Sequence, residues 1–176
     1  MSYLVVSCSL NPESRSRLLA ASIKKNIESK AENVEFLDLA ENQIPFCDGA
    51  GAYSDPITVE LVAAISSAKG IILCVPVYNY DVNAAAKNLI ELTGPSWMGK
   101  VVGFACAAGG HGSYMSVMGV ANSLMLDFRC HILPRFVYAL GDAFQGDSIT
   151  DPTVTERIEE LSNEMVRVTG ALSTEQ

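Results

Sequence analysis

Residues 3–20 read YLVVSCSLNPESRSRLLA, and the change of character inside them sets the fold. Tyr3–Ser7 is a short apolar run rich in β-branched residues, as a strand buried on both faces should be. From Ser16 to Lys30, Leu18, Leu19, Ile23 and Ile27 recur at helical spacing. Between strand and helix, Ser7, Ser9, Ser14 and Ser16 cluster around Asn11 and Pro12, with Arg15 and Arg17 interleaved. The stretch is one βα unit whose loop is crowded with small hydrogen-bonding groups.

The unit repeats along the chain. Val34–Leu39 reads as a second strand, residues 40–56 as a long loop, and Thr58–Ala68 as a helix. Gly70–Val77, GIILCVPV, is the most strand-like segment, followed by a helix over Ala84–Leu92. A fourth strand is expected at Lys100–Ala108, a Met-rich helix at Gly112–Phe128, a fifth strand within CHILPRFVY, and a helix over Val154–Leu172. Right-handed crossovers turn such alternation into a three-layer, doubly wound sandwich with a five-stranded parallel sheet. No linker, repeat or low-complexity tract interrupts it, so residues 1–176 read as a single domain.

Composition narrows the partners. The chain has 176 residues, 49% of them hydrophobic, and a net charge of −8. Its 12 Lys and Arg form no run, which argues against nucleic acid. No apolar run reaches membrane-spanning length, and the first residues lack the order of a signal peptide. The five cysteines are odd in number and contain no CxxC, the pattern of reduced thiols. A soluble, cytoplasmic protein is the expectation.

In doubly wound sheets, ligands bind beyond the carboxyl ends of the strands. Three loops fall there. The serine loop opens a helix, whose exposed N–H groups and dipole favour an anion; one N-cap would need only one hydroxyl. The second loop, PVYNYDVNAAAKN, combines a proline, two tyrosines and Asn79, flat walls suited to a planar ring. The third, AAGGHGSYM, carries adjacent glycines that permit close approach and positive φ.

Together these residues make the chain resemble the NAD(P)H-dependent FMN reductases of flavodoxin-like fold. The resemblance rests on CSLNPESRS, PVYN, KNLIE (Lys87–Glu91) and AAGGHGS, in the family's order and over nearly the whole chain. It implies that Ser9, Ser14 and Ser16, with Asn11 and Arg15 beside them, hold the phosphate of a bound FMN. Pro76, Val77, Tyr78 and Asn79 would meet the isoalloxazine, and Gly109 and Gly110 would border its pyrimidine end. Cys8 stands where the family usually has Gly, and Asn11 where it usually has Arg, removing a charge-assisted donor.

The resemblance further implies a donor, NADPH or NADH, a small-molecule electron acceptor, and a homodimer or homotetramer with contacts beside the Ala84–Leu92 helix. No catalytic side chain is required, because the cofactor carries the chemistry. A flavodoxin-type electron carrier is the rival, but its Thr/Ser-x-Thr-Gly-Asn-Thr loop is absent. A receiver domain would need acidic residues where Ser7–Ser9 and Val75–Pro76 stand. GPSWMGKV imitates a phosphate loop but runs from helix to strand, the wrong way round. His111, Cys130 and His131 lack the further ligands of a zinc site. Met115, Met118 and Met125 are expected in the core or at a subunit contact, and Cys8 as a small filler.

Overall fold

The structure, a computed structural model, describes residues 2–30 and 33–173. Strand β1 (Ser2–Ser7) leads through the serine loop to α1 (Arg15–Glu28) and β2 (Asn33–Asp38). A long loop with a single 3-10 turn precedes α2 (Pro56–Ser67) and β3 (Gly70–Tyr78). Then come β4 (Asp81–Val82), α3 (Ala84–Thr93), β5 (Val101–Ala107) and α4 (Met118–Phe128). Strands β6 (His131–Ile132) and β7 (Val137–Ala139), the hairpin β8 (Phe144–Gln145) with β9 (Ser148–Ile149), and α5 (Pro152–Ser173) follow.

The parallel sheet runs β2-β1-β3-β5, with β6 and β7 both on the outer edge of β5. This is the flavodoxin-like order. Alternate strand residues enter opposite cores, and both are apolar, as helices on both faces require. Leu4 and Val6 of β1, Ile71, Leu73 and Val75 of β3, and Phe104 of β5 pack under α2, α3 and α4. Tyr3, Val5, Ile72 and Ala105 pack under α1 and α5 against Leu19, Ile23, Ile158 and Met165. At Gly70 a Cβ would lie 2.5 Å from Met165 Sδ and 2.8 Å from Thr169 Oγ1, so glycine here admits α5 to the sheet.

Two expectations need correction, the unbroken fifth strand and the start of the Met-rich helix, and the structure adds short elements that periodicity did not signal. The fifth strand is broken in two: Gly103 and Phe104 of β5 are faced by four residues, Leu133–Phe136, because Pro134 has no N–H to donate and Arg135 turns to φ 61°. Beside the expected parallel strands, the short β4 folds back antiparallel onto Val77 and Tyr78. The helix expected from Gly112 begins only at Met118, after a 3-10 turn at His111–Ser113, where Gly112 and the serines favour turns. The hairpin β8–β9, turning at Gly146 (φ 55°), lay inside a stretch without strand periodicity. Met115, Met118 and Met125 are exposed, which leaves the subunit contact as the open half of that expectation; on α4, Val120, Ala121 and Leu124 turn inward.

Among the described residues, no helix is long and apolar enough to cross a membrane. All five cysteines are unpaired.

Candidate cofactor site

The first loop is held by its own hydroxyls. Ser14 caps α1, accepting from Ser16 N at 3.2 Å, and its Oγ lies 2.6 Å from Ser16 Oγ. Ser9 Oγ accepts from Asn11 N at 3.2 Å, and Asn11 Oδ1 accepts from Glu13 N at 3.0 Å. Ser9, Ser14 and Ser16 are buried; Asn11 and Arg15 are exposed. An accepting Ser9 keeps its own O–H to donate. Of the paired Ser14 and Ser16, one O–H binds the other residue and one is left over.

The arginines divide their work. Arg17 Nε contacts the buried Asp38 Oδ2 at 2.7 Å, and its Nη2 reaches Glu41 Oε1 at 2.6 Å, fastening α1 to the end of β2. The Arg15 guanidinium stands 5.8 Å above the Phe144 ring and against Gly141, where a Cβ would lie 2.7 Å from Nη1. It is a stacked cation at the loop's border.

The second loop is a β-hairpin, not an open coil. Asn79 and Tyr80 occupy φ 51° and 71°, the two positive values a type I′ turn requires. Asparagine suits that role; tyrosine is strained in it. Tyr78 and Tyr80 are both exposed, whereas Pro76 is buried and Val77 half-buried. In the third loop, neither Gly109 nor Gly110 adopts positive φ, and Gly110 is extended at φ −171°. A Cβ at either would meet nothing within 4 Å. These glycines face open space.

The loops meet at one edge. Cys8 N donates to Cys74 O at 2.9 Å, Asn83 Nδ2 donates to Cys8 O at 2.7 Å, and Pro76 pairs with Ala107 across β3 and β5. Ala108 N donates to Ala139 O at 2.9 Å. Two fully buried polar atoms of residues at this edge, Ser7 Oγ and Asn83 Oδ1, have no protein partner. With the hydroxyls of the serine loop, they form a donor and acceptor set that fits a hydroxylated chain ending in phosphate. The edge is a shelf rather than a closed hole. A cavity of about 500 Å³ lies elsewhere, between α3 and α4 and beside Cys47 and Tyr53.

Sequence reading missed several supports. Asn88 accepts from Cys47 N and donates to Pro45 O, both at 2.8 Å, which explains why an amide follows Lys87. Tyr138 donates to Gly110 O at 2.5 Å, and its ring meets Tyr114 edge-on at 5.2 Å, with Phe136 on Tyr114's other contact at 4.8 Å. Nothing in the sequence spacing links Tyr138 to Gly110, since the chain between them passes through α4. Cys8 is fully buried, and burial, then Asp38 and Cys106, pushes its thiol far above the usual range. It is a filler, not a nucleophile.

The strand order, with three loops gathered at the carboxyl ends of its strands, defines a protein of flavodoxin-like fold. The profile of the NADPH-dependent FMN reductase family matches residues 1–145, and the chain belongs to that family. It is thereby an oxidoreductase that works with FMN and a reduced nicotinamide donor. It is similar to an NAD(P)H-dependent FAD/FMN reductase of Geobacillus thermodenitrificans, 29% identical over 81% of this chain and 78% of that one. It is also similar to an NADPH azoreductase of a Bacillus species, 23% identical over 92% and 90% of the two chains. In fold it matches FerB, a flavoenzyme NAD(P)H:(acceptor) oxidoreductase from Paracoccus denitrificans, with a TM-score of 0.79, 21% identity and 97% coverage of both chains.

Proposed function

We propose that the shelf formed by the three loops is where this chain holds FMN and where donor and acceptor react in turn. The observation that carries the reading is the convergence, at one sheet edge, of unspent hydroxyls at the start of α1 with an open glycine pair. Ser9, Ser14 and the Asn11 amide donate to the phosphate, with the dipole of α1 behind them. Ser16, fully buried, acts through Ser14. Arg15 supplies positive charge from its seat over Phe144. Pro76, Val77, Tyr78 and Asn79 flank the ring, and Gly109 and Gly110 let its other end approach the backbone. When bound, FMN supplies the redox chemistry, accepting hydride from NADPH or NADH and passing electrons on.

The sequence holds no G-x-G-x-x-G motif for a second dinucleotide. Donor and acceptor therefore use the same face, and the acceptor is a small molecule such as a flavin, quinone or azo dye. Double-reciprocal plots with both substrates varied should give parallel lines. Intersecting lines would show simultaneous binding and defeat the single-face scheme. If neither NADH nor NADPH bleaches the bound flavin anaerobically, the electron-carrier reading takes over.

The same reading extends to a homodimer or homotetramer in the cytoplasm. Support comes from Ala84–Ala86 at the start of α3, beside an apolar groove of about 370 Å³ lined by Leu10, Ile44 and the exposed Phe46. Small residues admit a second backbone, and the exposed apolar side chains gain from burial. Five unpaired thiols suit a reducing compartment. Sedimentation showing only monomer at micromolar concentration would overturn the assembly.

A further inference from the structure

The glycine loop is held from outside itself. Gly109 and Gly110 have no side chains, adopt no constrained φ, and face open space, so nothing within them fixes their path. Tyr138 lies in β7, paired with Cys106 of β5, and its strand neighbour Ala139 receives the Ala108 N–H. From that anchored position its hydroxyl donates to Gly110 O at 2.5 Å. The ring is held in turn by Tyr114, centroids 5.2 Å apart, itself packed on Phe136.

We propose that Tyr138 is a positioning residue for the flavin: its hydroxyl clasps the Gly110 carbonyl and so sets the path of the loop that borders the isoalloxazine. The proposal rests on the reading that Gly109 and Gly110 border the cofactor. The physical case is entropic. A glycine pair loses more backbone freedom than any other dipeptide when a ligand orders it, and a clasp made beforehand removes that cost from binding. The phosphate loop, built from other residues at the start of α1, does not share this clasp.

The variant Tyr138→Phe keeps the ring and its contact with Tyr114 and deletes only the hydroxyl. Three measurements on the full chain separate the outcomes: amide hydrogen exchange of residues 109–113 without flavin, dissociation constants for FMN and riboflavin by fluorescence quenching, and the flavin midpoint potential. The expected result is faster exchange in the loop, a shifted potential, and affinity weakened about three- to tenfold, by one factor for both flavins. A common factor marks the ring end, because riboflavin lacks the phosphate. Faster exchange with unchanged affinity and potential would reduce Tyr138 to a structural role and overturn the proposal. Unchanged exchange would overturn the clasp itself. Wild-type protein that binds neither flavin would bring down the site reading as well, an outcome distinct from a wild type that binds while the variant is unaltered.

Discussion

Asn83 Nδ2 donates to the Cys8 carbonyl oxygen at 2.7 Å, joining the first residue before α3 to the end of β1. Asn83 occupies the N-cap position of α3 yet makes no side-chain cap. Its amide is used across the sheet edge instead of along its own helix. The serine loop and the hairpin loop therefore keep a fixed separation, which a ligand bridging them needs.

Replacing this amide tests the link. Asn83→Leu leaves the Cys8 carbonyl without its partner at a buried site and should cost about 1–3 kcal/mol. For a chain of this size, Tm should fall by roughly 2–4 °C per kcal/mol. FMN affinity should fall with it. A variant as stable as wild type in urea titration would show that the bond does not hold the loops.

Ser14 caps α1, and the phosphate contact proposed for it separates from that role experimentally. As the N-cap of α1, its loss in Ser14→Ala should cost about 1 kcal/mol of stability. As a phosphate ligand, its loss should weaken FMN while leaving riboflavin unaffected. Ser9→Ala, which removes a loop hydroxyl but no helix cap, should weaken FMN with a smaller change in Tm, and the double variant should release the cofactor. Equal binding of riboflavin and FMN by wild type would remove the phosphate from the site.

The buried thiols predict an alkaline limit. Burial raises Cys106 from 9.0 to about 12 and Cys130 to about 11, and drives Cys8 and Cys74 upward as well. A thiol that stays protonated when native, but ionises near pH 9 when unfolded, supports folding fully below pH 9. That support is lost as pH climbs from 9 through 11 to 12. The urea midpoint should therefore decline above pH 9, less steeply in Cys106→Ala; equal slopes would refute the assignment. At pH 8 a thiol reagent should reach Cys47, which is only half-buried, before the other four.

The hairpin tip exchanges stability for an exposed ring. Tyr80 at φ 71° occupies a conformation that costs a non-glycine residue about 1–2 kcal/mol. Tyr80→Gly restores the Asn-Gly pair that type I′ turns prefer. The greater freedom of glycine when unfolded returns part of that gain, so Tm should rise by a few degrees at most. KM for aromatic acceptors should increase, with the flavin still bound. Unchanged KM for a quinone and an azo dye would separate the strain from acceptor binding.

The sequence alone determined the layered fold, because each central strand is apolar in both directions and each helix on one stripe. Leu4 beside Val5, and Leu73 beside Cys74, require cover on both faces. It also determined the local hydrogen bonding of the serine loop, because Ser9, Asn11 and Ser14 lie close along the chain. Tertiary structure decided what depends on distant strands sharing an edge: the Asn83–Cys8 bond spans 75 residues, and the Tyr138–Gly110 bond spans 28. It decided the broken last strand too, since Pro134 shows its effect only against the N–H and C=O ladder of β5. Periodicity reports which face of an element is buried; it carries no record of which hydroxyl reaches which carbonyl once the crossovers have closed the sheet.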